Sequence, residues 1–247
     1  MSLSGHTAFI TGAGQGIGKA CALAFASRGA NLILVDKNQD SLTNVASEVS
    51  NTGVSVSPFA FDLTDLEELK HVGERDWKKI SIDILVNNAG FDRPGTTAKI
   101  DRNRLDEVFA IHITVPLMLI QLFLPYMQAA GWGRIINVSS IYGLIGGKGE
   151  VAYSTAKAGV IGLTKSVAKE CGEDGVTVNA VLPGLIRTPT IEGFMAEKYK
   201  QQIIADTALG RIGEPEEVAR VVAFLASEDA SFITGITLPV SGGWGVL

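Results

Sequence analysis

The stretch "TGAGQGIG" (residues 11–18) joins an apolar run that reads as a β-strand to a segment that reads as a helix. Its glycines have a mechanical reading. Gly12 permits a tight turn, Gly16 lets main chain approach a pyrophosphate, and Gly18 allows the helix to pack closely. The helix N-terminus adds free N–H donors and a partial positive charge suited to phosphates. Gln15 and Ile17, in the same loop, join these glycines as candidate cofactor contacts. The chain has 28 glycines, so the weight lies in the position of the motif, between strand and helix.

Outward from this turn, short β-rich runs alternate with longer helical patterns. Strands are expected at 7–11, 31–36, 54–59, 82–87, 134–138, 177–182 and 236–240, and helices at about 16–28, 39–51, 65–79, 101–130, 152–171 and 215–227. The strands lack polar alternation, as expected of a parallel sheet covered on both faces. Alternating β and α implies right-handed crossovers and an α/β, doubly wound Rossmann sheet. No linker or repeat divides residues 1–247, so one domain is expected for nucleotide binding and catalysis. The segment at about 187–213 breaks the alternation after a Pro-Gly turn, where a substrate lid would sit.

Composition narrows the function. The chain is 46% hydrophobic and 19% charged, with a net charge of −5 and no long like-charge run. Neither a nucleic-acid footprint nor a basic membrane-binding face is expected. Cys21 and Cys171 lack a CxxC spacing and a neighbouring histidine, so no metal site is expected and a reducing cytoplasm fits. The N-terminus shows no signal-peptide pattern. Residues 108–127 are apolar over about a bilayer's thickness. His112, Thr114, Pro116, Gln121 and Pro125 make them a poor lone span, and burial against both the sheet and a second subunit is the expectation.

Asp36 closes the second strand, 18 residues past Gly18. A carboxylate there accepts hydrogen bonds from ribose hydroxyls and repels a 2′-phosphate, which favours NAD over NADP. Lys37 beside it pulls the other way. Asp62 suits either an adenine amino group or a helix N-cap. "YSTAK" puts Tyr153 and Lys157 on one helical face. The strand ends at Ser139-Ser140, at Asn87, Asn88, Ala89 and Gly90, and at Pro183-Gly184 face the same carboxyl edge, where ligands bind in this architecture.

TGxxxGxG at residues 11–18, NNAG at 87–90, Ser140 thirteen residues before Tyr153, YxxxK, and Pro183-Gly184 together resemble the short-chain dehydrogenase/reductase family. The match spans essentially the whole chain. It implies a seven-stranded parallel sheet in the order 3-2-1-4-5-6-7 with helices on both faces, and a homotetramer or a homodimer. It also implies a nicotinamide cofactor held by the glycine loop, Asp36, Asp62, Leu63, Asn88, Ala89, Gly90, Tyr153, Lys157, Pro183, Gly184, Ile186 and Thr188.

The chemistry also follows from the side chains. Hydride leaves a carbinol carbon only if the hydroxyl proton leaves too, so a base must touch that oxygen. A lysine ammonium about 5 Å from a phenol would favour phenolate by ~3 kcal/mol, about two pK units. Tyr153 is therefore expected as acid–base group, with Ser140 orienting the substrate oxygen.

The family's fourth catalytic position, usually asparagine, is His112 here, in "FAIHITVP" (residues 109–116). The resemblance implies that this residue's main-chain carbonyl helps hold a water linking the lysine to solvent in a proton relay. Pro116 has no N–H for the carbonyl four residues back, which leaves the His112 carbonyl free for that water. The imidazole is a candidate buffering group near neutrality, with a purely structural hydrogen bond as the alternative. Candidate substrate contacts are Phe91, Asp92, Arg93, Leu144, Glu150, Leu185, Phe194 and Met195. Arg93, Lys148 and Arg187 are possible anion holders, although solvated surface charge is the simpler reading.

"NNAGFD" and "GEVAY" resemble dehydrogenases of hydroxycycloalkane-carboxyl thioesters, and the general layout resembles NADPH-preferring 3-oxoacyl carrier-protein reductases. The expected function is an NAD-dependent oxidoreductase on a secondary alcohol or ketone, cyclic or 3-hydroxyacyl in type. The alternatives are such a reductase using NADPH, or a non-catalytic NAD-binding sensor.

Overall fold

The computed structural model describes residues 1–246, the side chain of Phe194 excepted, so the expected pocket role of Phe194 lies outside the described residues. Seven strands form one parallel sheet: β1 (Thr7–Thr11), β2 (Asn31–Asp36), β3 (Val56–Ala60), β4 (Ile84–Asn87), β5 (Gly133–Val138), β6 (Val176–Pro183) and β7 (Thr237–Val240). Their order is 3-2-1-4-5-6-7. The chain reverses direction across the sheet between β1 and β4, which creates a crevice at their carboxyl ends.

Burial follows from side-chain alternation. On β1, Ala8 and Ile10 enter a core under α1 (Gly16–Ala26), α2 (Gln39–Ser50) and the late helix Pro215–Leu225. Phe9 points the other way, into a core with Trp77, Leu119 and Phe123. Residues of β4, β5 and β6 are buried throughout, as continuous apolar runs require. β3 is half-exposed and carries Pro58, which offers no N–H to a ladder and is tolerated because this strand lies at the edge.

The expected helix over 101–130 is interrupted. α4 (Arg102–Phe109) follows α3 (Leu66–Arg75), then comes a π-turn (Ala110–Thr114), then α5 (Val115–Ala130). In the π-turn the Val115 N–H reaches back five residues, to the Ala110 carbonyl. Pro116 is the second residue of α5, but the helix runs on from the π-turn, so its missing N–H takes one donor out of the backbone ladder at the junction. This whole segment is long and apolar enough to cross a membrane, but it packs into the core through Val108, Leu119, Ile120, Phe123 and Met127.

A short helix, α6 (Tyr142–Ile145), follows β5, and α7 (Val151–Cys171) carries Tyr153 and Lys157. The segment after β6 folds as α8 (Pro189–Phe194) and α9 (Glu197–Asp206) before α10 (Pro215–Leu225). Its base is closed by Arg187 N–H to the Gly213 carbonyl (2.8 Å) and Gly213 N–H to the Leu185 carbonyl (2.9 Å). Leu185, Ile203 and Ile212 give it a small core of its own.

Candidate active site

The glycine loop turns sharply at Gly12, whose φ of +64° excludes most side chains. Gly18 is needed for a different reason: a Cβ there would lie 2.0 Å from the Gly12 carbonyl oxygen. Gln15 is the residue before α1, and Ile17 leans on the core beneath it. Thr188, from the segment after β6, lies against the loop, 3.1 Å from where a Cβ on Gly16 would be. These features leave a backbone-lined cradle at a helix N-terminus, which fits a dinucleotide phosphate.

Thr11 ties this cradle to the next one, a role that sequence reasoning missed. Its hydroxyl accepts from the N–H groups of Asn88 (2.9 Å) and Ala89 (2.9 Å). The Asn88 amide donates back to the Thr11 carbonyl (2.9 Å) and the Gly12 carbonyl (3.1 Å). The Thr11 hydroxyl also donates to the Val86 carbonyl (3.3 Å), a combination of donor and double acceptor that a carboxylate cannot supply, so the threonine of "TG" was the available signal.

Asp36 accepts from the N–H of Gly14 (2.9 Å) and of Asn38 (3.0 Å), which aims its carboxylate into the loop. Asp62 takes the Thr64 N–H (2.9 Å) and hydroxyl (2.7 Å). Burial raises its pKa, but these bonds and the Lys37 charge outweigh that, and the net shift is downward. The N-cap of α3 is Asp65, which corrects the capping alternative for Asp62. The Leu63 side chain is buried in the core, so only its main chain can meet a ligand. At the far edge Pro183 ends β6, and Gly184 lies against Ser241, where a Cβ would meet Cα at 2.7 Å. Ile186 is buried, and Thr188 caps α8.

Ser140, Tyr153 and Lys157 converge beside this groove. The Ser140 hydroxyl accepts from the Tyr142 N–H at 3.2 Å. The Lys157 ammonium lies 5.5 Å from the Tyr153 ring centroid and donates to the Val138 carbonyl at 2.7 Å. The Ser139 hydroxyl donates to the Lys157 carbonyl (2.7 Å), clamping α7 to the end of β5.

The titration pattern corrects an expectation. The Tyr153 phenol is not acidified; burial pushes it up to about 12, the Ser140 hydroxyl opposes this, and the Asp92 and Glu150 charges add to it. Burial also drives Lys157 down to about 7. In the free protein burial thus disfavours the charged form of both groups, and the phenol shows no net gain in acidity from the lysine.

His112 is 2% exposed. Its pKa lies well below 6.5, through burial first and the Lys157 charge second, against a hydrogen bond with the Phe91 carbonyl. A ring so shifted is neutral at physiological pH and does not buffer there, which overturns that expectation.

Asp92 and Glu150 face each other across two loops joined by the Gly95 N–H and the Gly149 carbonyl (2.8 Å). Burial and then the Asp92 carboxyl push Glu150 up to about 8. The Tyr142 and Tyr199 hydroxyls meet at 2.6 Å, linking α6 to α9. Neither tyrosine was expected in the site. Leu144 is exposed, whereas Leu185 and Met195 pack into the small core of the segment after β6. Arg93 pairs with Glu107 (3.1 Å) and stacks on Phe91 (4.5 Å), and Arg187 pairs with Glu214 (2.9 Å). Both arginines are surface ion pairs.

Residues 12–245 match the family model described as enoyl-(acyl carrier protein) reductase. The chain is 39% identical to the 3-oxoacyl-[acyl-carrier-protein] reductase FabG of Thermotoga maritima, over 98% of this chain and 99% of that one. It is 38% identical to the 7alpha-hydroxysteroid dehydrogenase of Bacteroides fragilis, over 95% of this chain and 92% of that one. Among solved structures, a putative NAD(P)-dependent gluconate 5-dehydrogenase from Beutenbergia cavernae with bound NADP superposes with a TM-score of 0.93 at 36% identity, covering 98% of each chain. A 7α-hydroxysteroid dehydrogenase complexed with NADH and 7-oxoglycochenodeoxycholic acid gives a TM-score of 0.93 at 31% identity, covering 98% of this chain and 95% of that one. With the sheet order, the glycine cradle and the serine–tyrosine–lysine cluster already in place, these likenesses establish that the chain belongs to the short-chain dehydrogenase/reductase family.

Proposed function

We propose that this protein is an NAD-dependent oxidoreductase that interconverts a secondary alcohol and its ketone, on a cyclic or 3-hydroxyacyl-type substrate. The observation that carries the reading is the convergence of Ser140, Tyr153 and Lys157 at the carboxyl edge of the sheet, beside a phosphate-shaped cradle. A bound nicotinamide dinucleotide supplies the hydride acceptor or donor and, when oxidised, a positive charge near the site. The glycine loop, Asn88, Ala89 and Thr188 would hold it.

In oxidation Tyr153 takes the hydroxyl proton of the substrate as the carbinol carbon gives up hydride; in reduction it returns that proton to the ketone oxygen. Ser140 holds the same oxygen in line. With the cofactor bound, Lys157 would support the phenol and hold the nicotinamide ribose, and the His112 main-chain carbonyl would hold a water that links the lysine to solvent. The phenol of the free protein sits near 12, so efficient base catalysis requires the added positive charge of the loaded site.

Asp36 supports NAD over NADP, because its carboxylate is already aimed into the loop by two backbone N–H bonds. A second reading, an NADPH-using 3-oxoacyl carrier-protein reductase, is favoured by the relatives of that name at 35–40% identity. We further propose a cytoplasmic homo-oligomer, with α5 as a contact face, since its Leu117 and Tyr126 are each 38% exposed.

The test is turnover of a panel of cyclic, steroid and 3-hydroxyacyl alcohols, with Tyr153→Phe as control. A loss of at least about 1,000-fold in Tyr153→Phe is expected, from the removal of acid–base transfer and correct proton placement together. Retained turnover in that variant would remove Tyr153 from the mechanism.

A further inference from the structure

His112 lies in the π-turn with three contacts that together fix its ring. Its Nε2 is 2.9 Å from the Phe91 carbonyl oxygen. Its ring meets the Tyr153 ring edge to face, centroids 5.3 Å apart at 82°. Its Cε1 presses on Gly90 so closely that a Cβ there would lie 2.2 Å away. A carbonyl only accepts, so Nε2 carries the proton of this neutral imidazole. The ring therefore brings one directed hydrogen bond and a rigid shape to the site.

Loop 88–91 is thus held at both ends. Thr11 takes the Asn88 and Ala89 N–H groups, and His112 takes the Phe91 carbonyl. We propose that His112 is a positioning residue that joins loop 88–91 and the Tyr153 ring into one rigid unit, fixing the acid–base phenol relative to the cofactor-facing loop. The proposal rests on Tyr153 as the acid–base group. Gly90 belongs to the same device, because its missing Cβ is the space the imidazole fills. An asparagine at 112 could replace the hydrogen bond but brings no ring to the phenol. The π-turn belongs to it as well: an inserted residue in a helix turns side chains off their regular positions, and such turns recur at functional sites.

The full-length protein is assayed with the best alcohol of the panel, and NADH affinity is followed by fluorescence. His112→Leu keeps bulk without the hydrogen bond, and His112→Asn keeps a donor without the ring. Both should hold NADH within about threefold of wild type while kcat falls, by up to about 100-fold for leucine and less for asparagine, as expected of a misplaced reacting group. The primary deuterium isotope effect on kcat should rise in both. A kcat within twofold and an unchanged isotope effect in His112→Leu would overturn the proposal.

A double-mutant cycle gives an independent readout. Gly90→Ala should weaken NADH binding at least about tenfold, and His112→Ala in the same chain should restore most of that loss by vacating the space. Additive effects would also overturn the proposal, and this arm decides should His112→Leu fail to fold. If Tyr153→Phe keeps its turnover, the underlying reading fails instead, which the cycle detects separately because it reads nucleotide affinity.

Discussion

Lys157 sits where an ammonium is poorly solvated, with its charge facing a single carbonyl and the face of the Tyr153 ring. Its pKa falls from 10.5 to about 7. The difference amounts to ~5 kcal/mol opposing the charged folded form, reduced in practice by the Val138 hydrogen bond. Between pH 7 and 10.5 the unfolded chain holds this proton and the folded chain does not, so stability rises with pH across that window. Lys157→Met should therefore be inactive yet more stable than wild type at pH 6, and the gain should shrink by pH 9.5. Urea denaturation at both pH values checks this; an equal difference at both would mean that the lysine is not desolvated. That Tyr153 and Lys157 share a helical face was legible in their spacing. The direction of the tyrosine shift was not, because desolvation depends on how deeply α7 sinks between β5 and the loops carrying Asp92 and Glu150.

At the level of elements, every strand was visible as a β-rich run, and the inner ones most plainly, because both faces of a parallel sheet are dry there. β3 and β4 each start two residues later than the runs expected at 54–59 and 82–87, and β7 starts one residue late. The π-turn was not visible. Its pattern of apolar residues is that of an ordinary helix, and the only mark of irregularity was Pro116. A proline there removes one donor, and the sequence cannot say whether the helix then bends, breaks or widens. The four-residue α6 was missed for a similar reason: nothing in "YGLI" separates a single helical turn from a loop. Pro116→Ala restores an N–H that can reach the His112 carbonyl and draw the turn toward regular α-helix. This variant should be about 1 kcal/mol more stable, from the better helix propensity of alanine, with kcat reduced and its pH profile altered while NADH affinity holds. Stopped-flow turnover from pH 6 to 10 tests it, and an unchanged profile would assign Pro116 to helix geometry alone.

Across the whole molecule, the crevice between β1 and β4 is where the two halves of the sheet meet, and the hydrogen bonds between Thr11 and Asn88 bridge it. A ligand seated there touches loops from both halves, so its binding energy should appear as stability of the entire fold. At a hundred times its dissociation constant a ligand adds about 2.7 kcal/mol, which for a chain of this length raises the melting temperature by roughly 5–10 °C. NADH should produce a shift of that order. NADPH at the same concentration should produce a clearly smaller one, because its 2′-phosphate would face the Asp36 carboxylate, held in place by Gly14 and Asn38. Asp36→Ser should narrow the gap from both sides: it removes an acceptor for the ribose hydroxyls and exposes the phosphate to Lys37. Equal shifts for the two nucleotides in the wild-type chain would show that Lys37 governs the pocket despite Asp36, and would move the balance toward an NADPH-using reductase.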